Sequence, residues 1–207
     1  MVTLKLLFPL KIIVMKQFYF VTVVLLLIAA CNSDKKPADK TENKDTNVKS
    51  MSTPADEKTK KMEQLKKTPQ LTLEQMRLLL PSELDSAKEK NYMASTQFGY
   101  GIASVEYPKT KSRGIKVTLY DCAGEMGYVN YFENYWDNLN VQKGSDQEFV
   151  KTIDFMGSKA VEKYKQDLNL STLTFVIRDR LVIIMEGKNM KPEELEEAAK
   201  KLHNKIA

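Results

Sequence analysis

The sequence predicts an α+β domain over residues 71–207, a small antiparallel sheet with helices packed on one face or at its ends, preceded by a disordered tether. Three observations predict it. Apolar residues alternate with polar ones in several short runs between 99 and 186, joined by connections too short for parallel crossovers. Helical spacing of apolar residues appears before, between and after those runs. Upstream, residues 32–70 have almost no large apolar side chains, so they cannot offset the entropy of ordering.

The elements follow in order. Leu73, Met76, Leu79 and Leu80 line a short helix, with Thr72 as N-cap and Pro81 stopping it. Residues 99–107 read as a strand and 108–114 as a polar turn. Ile115, Val117 and Leu119 alternate with Lys116, Thr118 and Tyr120, the pattern of a half-buried strand. Gly124 and Gly127 break it, and 127–139 reads as an aromatic-rich helix. Phe149, Ile153 and Phe155 mark another strand, and 158–166 reads as a short helix. Residues 172–177 and 181–186 form a hairpin turning near Arg178 and Asp179. Pro192 then opens the clearest helix: Glu193 and Glu194 suit its N-terminus, and Leu195, Ala198, Ala199, Leu202 and Ile206 form its apolar stripe.

The N-terminus gives the most specific signal. Met15-Lys16 is a short basic start, and residues 18–28 are apolar except Thr22, too short for a membrane span. The run ends Ile28-Ala29-Ala30-Cys31, which resembles the lipobox of bacterial lipoprotein precursors. The resemblance implies a signal peptide at 1–30, cleavage before Cys31 and lipidation of its thiol. Acyl chains such as palmitate would then hold the mature protein to a membrane of the cell envelope, since two or more chains bind firmly. Asn32 in place of aspartate favours the outer membrane, facing the periplasm, over the inner one. Translation starts at Met1 or at Met15; an uncleaved anchor or plain secretion are the competing readings.

Residues 31–70 are then the lipidated cysteine and its tether, with nascent helix near 57–67. A flexible coil of this length spans roughly 35 Å. The net charge of +5 belongs to leader and tether: residues 71–207 carry 19 basic and 20 acidic side chains. Nucleic-acid binding therefore lacks its electrostatic basis.

The order of elements over 99–207 resembles that of PsbP-like domains of exported proteins, a likeness that brings no function with it. Candidate chemistry is sparse. His203 is the single histidine, read as a solvated residue near a helix C-terminus, so a histidine-based zinc site is excluded. Cys122 has no second thiol once Cys31 is lipidated, and reads as a small buried hydrophobe, or else as an intermolecular disulfide or a redox thiol. No cofactor motif is present.

Tyr128, Tyr131, Phe132, Tyr135 and Trp136 fall on one broad helix face. That face is either core or the wall of a groove, because phenol and indole groups join an apolar body to a polar tip. Tyr128, Tyr131, Tyr135 and Trp136 are the predicted ligand-binding residues, with Tyr92, Phe98, Tyr100 and Tyr107 as possible extensions. The expected function is a noncatalytic envelope module that binds a partner protein or a small apolar ligand. The alternative is a structural accessory subunit of a larger envelope complex; an enzyme is the least favoured reading.

Overall fold

The computed structural model describes residues 53–207. The predicted leader, Cys31 and the first part of the tether lie outside the described residues.

The first described element corrects the predicted tether. Helix α1, Pro54–Lys67, is 14 residues long and packs on the domain, where the sequence predicts a disordered tether as far as residue 70 with only nascent helix near 57–67. Its ends are built by local chemistry. Thr53 and Asp56 form a reciprocal capping box, Pro54 fills the first turn, and Lys66 and Lys67 sit at the negative end. Its stripe is only Met62 and the fully buried Leu65. Tertiary contact, more than amphipathicity, holds it.

Helix α2, Leu73–Leu79, follows with Thr72 and Gln75 as its capping box and Met76 buried. A small hairpin comes next, β1 (Glu83–Leu84) with β2 (Ala87–Lys88), turning through Asp85 and Ser86 at positive φ. The main sheet has eight strands: β3 (Lys90–Ser95), β4 (Gly101–Pro108), β5 (Gly114–Asp121), β6 (Lys143–Gly144), β7 (Glu148–Phe155), β8 (Ser158–Lys165), β9 (Leu170–Ile177) and β10 (Leu181–Lys188). Their order is β3-β4-β5-β10-β9-β8-β7-β6, and every pairing is antiparallel. Helix α3 (Gly127–Asn134) follows β5, and α4 (Pro192–Ile206) closes the described chain. The α+β class is as the sequence predicts.

Alternation sorts the sheet into two faces. Val105, Val117, Leu119, Ile183, Met185, Leu173 and Phe175 form the main core under α4 and α2. Leu195, Ala198, Ala199, Leu202 and Ile206 of α4 complete it. Val182, Ile184, Tyr120 and Val176 point the other way and meet α3 and α1, which cover one end of that face. Toward its far end the second face is largely polar, with cross-strand rows such as Glu106, Lys116 and Glu186.

Residues 158–166 are the second correction, because β8 stands where a helix was predicted. Met156 and Gly157, both at positive φ, turn the chain straight back from β7. Pairing with β7 and β9 then overrides a Lys- and Ala-containing composition that suits a helix. Glu162 is thereby buried, and it is neutralised by its cross-strand partner Lys151 at 2.8 Å. His203 differs too. It is half-buried against Phe155 and Phe175, not solvated.

Candidate functional site

Helix α3 is shorter than the predicted 127–139. It ends at Asn134, Tyr135 leaves helical geometry, and a 3₁₀ turn takes Trp136–Asn138. Gly127 starts the helix tight against the backbone of Cys122, where an added Cβ would come within 2.7 Å of a carbonyl carbon. That close approach presses α3 down onto the ends of β5 and β10.

The aromatic residues are brought together as expected, but they split by depth. Tyr131, Phe132 and Tyr135 are buried in the second core with Leu65, Cys122 and Val182. Their rings meet edge-on at 5.4 and 5.6 Å. The Tyr135 hydroxyl donates to the Lys159 carbonyl at 2.8 Å, and burial raises the Tyr131 and Tyr135 phenols above their ordinary range. Tyr128 and Trp136 are half-buried. So Tyr131 and Tyr135 are core residues that support the surface, and the accessible part of the predicted quartet is Tyr128 and Trp136.

Helix α1 lies across this surface. Lys58, Lys61 and Lys66 place their ammonium groups 5.0, 5.2 and 4.7 Å from the ring centres of Phe132, Tyr131 and Tyr128. Each such cation–π contact contributes about 0.5–1 kcal/mol when exposed, and more when desolvated. Lys58 also pairs with Asp137 at 2.6 Å. Partial burial lowers the Lys61 pKa.

Between the two helices runs an open groove of about 390 Å³. Met62, Val129 and Phe132 give it apolar walls, and Tyr128, Lys58 and Glu133 give it polar rims. The sequence predicts nascent helix near 57–67 but not that it packs as a wall on the domain. The signals that could have shown it were Thr53 three residues before Asp56, Pro54 at a first helical position, and Met62 three before Leu65.

The connector from α1 to α2 is locked to the same end of the sheet. Asp121, with no exposed surface, accepts a forked pair from Arg180, Nε to Oδ1 at 2.9 Å and Nη2 to Oδ2 at 2.7 Å, and the Leu71 N–H at 2.6 Å. Arg180 also donates to the Pro69 carbonyl at 2.9 Å. Gln70 reaches the Gly99 and Ala123 carbonyls, and the Gly124 N–H donates to the Leu65 carbonyl.

Cys122 is fully buried, and its thiol leans on the Tyr120 carbonyl at 3.7 Å. Burial pushes it up to about 12, which removes the thiolate needed for redox reactivity. Of the proposed extensions, Tyr107 is buried with its hydroxyl on the Pro81 carbonyl, and Tyr92 sits under Arg77 at 4.5 Å. Phe98 and Tyr100 are different. With Met126 they form a surface patch that joins the second core through Tyr120, Phe98 being 65% exposed. Among the described residues no group of His, Cys, Asp or Glu is placed to hold a metal ion, and no helix is long and apolar enough to cross a membrane.

Comparison of the chain with protein-family models, with curated proteins and with solved structures finds no match.

Proposed function

We propose that this protein is a lipid-anchored, noncatalytic module of a bacterial cell envelope that binds a partner protein or a small apolar ligand in the α1–α3 groove. Anchoring rests on the Ile28-Ala29-Ala30-Cys31 lipobox, with acyl chains on Cys31 holding the protein to the outer membrane, facing the periplasm. Binding rests on one observation: an open groove with Phe132 and Met62 in its walls, polar groups at its rims, and a buried aromatic layer beneath. Rigid aromatic walls with few polar rim groups suit an apolar ligand segment.

A photo-crosslinking residue in place of Val129, introduced in the native envelope, tests this. The expected result is one discrete adduct, lost when Phe132→Ser is added to a chain that still folds. The accessory-subunit reading is favoured instead by the patch of Phe98, Tyr100 and Met126, since contiguous exposed apolar surface marks protein contacts. A crosslinker at Met126 that captures a stoichiometric protein, with none captured at Val129, would move the function there.

A further inference from the structure

The far end of the second sheet face, away from α1 and α3, holds a larger cavity of about 550 Å³. Its floor is four neighbouring strands, β4, β5, β10 and β9, where Pro108, Gly114, Lys188 and Leu170 stand in register. Loop 109–113 and the β8–β9 turn form its walls. Gly114 is required there: a Cβ would meet the Tyr107 carbonyl and the Pro108 Cα at 3.0 Å.

The walls are pinned together by one residue. Asn189, at φ +53°, donates its backbone N–H to the Asn169 carbonyl at 2.8 Å and its side-chain amide to the Ser112 carbonyl at 2.5 Å. The cavity is therefore pre-formed, and its volume falls in the range of small-molecule sites, roughly 300–1,000 Å³.

Its chemistry has two parts. Leu168, Leu170 and Pro108 give an apolar surface, and Leu168 is left 58% exposed. Lys111, Arg113, Lys116 and Lys188 face Glu106 and Glu186. Glu106 accepts from the Asn91 amide at 2.7 Å, and the Lys116 ammonium stands 4.0 Å from Glu186, between the two acids in the cross-strand row. Arg113 is tied to Glu194 at 2.6 Å, yet its Nε is buried with no hydrogen-bond partner. Lys111 and Lys188 have no ion-pair partner among the described residues. Two ammonium groups without an ion-pair partner thus border the apolar surface of Leu168, Leu170 and Pro108.

We infer that this cavity binds an anionic amphiphile, a carboxylate or phosphate ester joined to a short apolar body, at a site independent of the α1–α3 groove. The charged head would meet Lys111 and Lys188, and the apolar body would lie on Leu168 and Leu170. A free metabolite and an anionic lipid head group share this chemistry.

The test uses the full chain in phosphatidylcholine nanodiscs with labelled leucine methyl groups, titrated with hexanoate. Saturable shifts are expected at Leu168 and Leu170 and not at Leu65. Acetate and hexanol should bind at least tenfold more weakly. The double variant Lys111→Gln/Lys188→Gln, both exposed positions, should lose at least tenfold in affinity with unchanged leucine spectra elsewhere. If phosphatidylglycerol nanodiscs shift the same methyls without hexanoate, the natural source is a lipid head group; if they do not, it is a free amphiphile. Absence of saturation, equal binding of hexanol, or unchanged affinity in the double variant would overturn the inference.

Discussion

Leu65→Ala is the perturbation that most directly probes whether α1 belongs to the folded domain. Leu65 is 1% exposed and packs among Cys122, Tyr131, Phe132 and Tyr135. Leucine-to-alanine changes in cores cost about 2–5 kcal/mol, the sum of lost transfer energy and a residual cavity. Here α1 lies at the surface and has freedom to settle, so the lower part applies, about 2–3 kcal/mol. For a domain of this size each kcal/mol lowers Tm by roughly 2–4 °C, giving a fall of about 4–12 °C. Urea unfolding followed by Trp136 fluorescence measures it, because that indole packs against Tyr131 and Phe132 beneath α1. Amide exchange along Pro54–Lys67 should accelerate in the variant. A cost below about 0.5 kcal/mol with unchanged exchange would show that α1 is an adherent segment and that the groove is not a fixed feature.

Three other outcomes are expected. Arg180→Met should destabilise by about 3–5 kcal/mol, since it strands the buried Asp121 carboxylate, while Arg180→Met/Asp121→Asn should recover part of that in the same urea assay. The Cys122 thiol, at about 12 when folded against 9.0 ordinarily, keeps a proton that the unfolded chain releases; its stabilisation is whole below pH 9 and disappears as pH rises toward 12, so the urea midpoint should fall over that window less steeply in Cys122→Ala. Lys151→Met should destabilise more than exposed lysine substitutions such as Lys165→Met, because it leaves Glu162 buried without its partner, and Lys151→Met/Glu162→Leu should restore stability by thermal melt.

What was legible in the sequence follows a physical division. Strands β9 and β10, buried consecutively at 173–175 and 181–183, show as apolar, β-branched runs, whereas β4, β5 and helix α4 each separate a buried side from an exposed one within a few residues, so their periodicity reports their environment. Strand β8 does not, because Ala160, Val161 and Glu162 are consecutive and all buried. Only its partners on both sides explain that run. Helix α1 has one fully buried side chain, too few for a stripe, and its stabilising rings are some 70 residues away in sequence. The edge strand β3, with its bulge between Lys90 and Met93, lacks alternation for a similar reason. The clustering of the aromatic residues was readable, but that Tyr135 and Trp136 leave the helix was not. Which half of the cluster reaches solvent depends on where α1 lies, so the separation of Tyr128 and Trp136 from Tyr131 and Tyr135 needed the fold.

The central claim, an acyl-anchored envelope module with an occupied groove, is tested most directly by native mass spectrometry of the protein extracted gently from its own membranes. The account predicts a chain beginning at Cys31 and carrying acyl mass, plus a bound species that Phe132→Ser removes. A chain that retains residues 1–30, or one that begins at Cys31 without acyl mass, would contradict the anchoring. An acylated chain whose bound species survives Phe132→Ser, or that carries none, would contradict the groove.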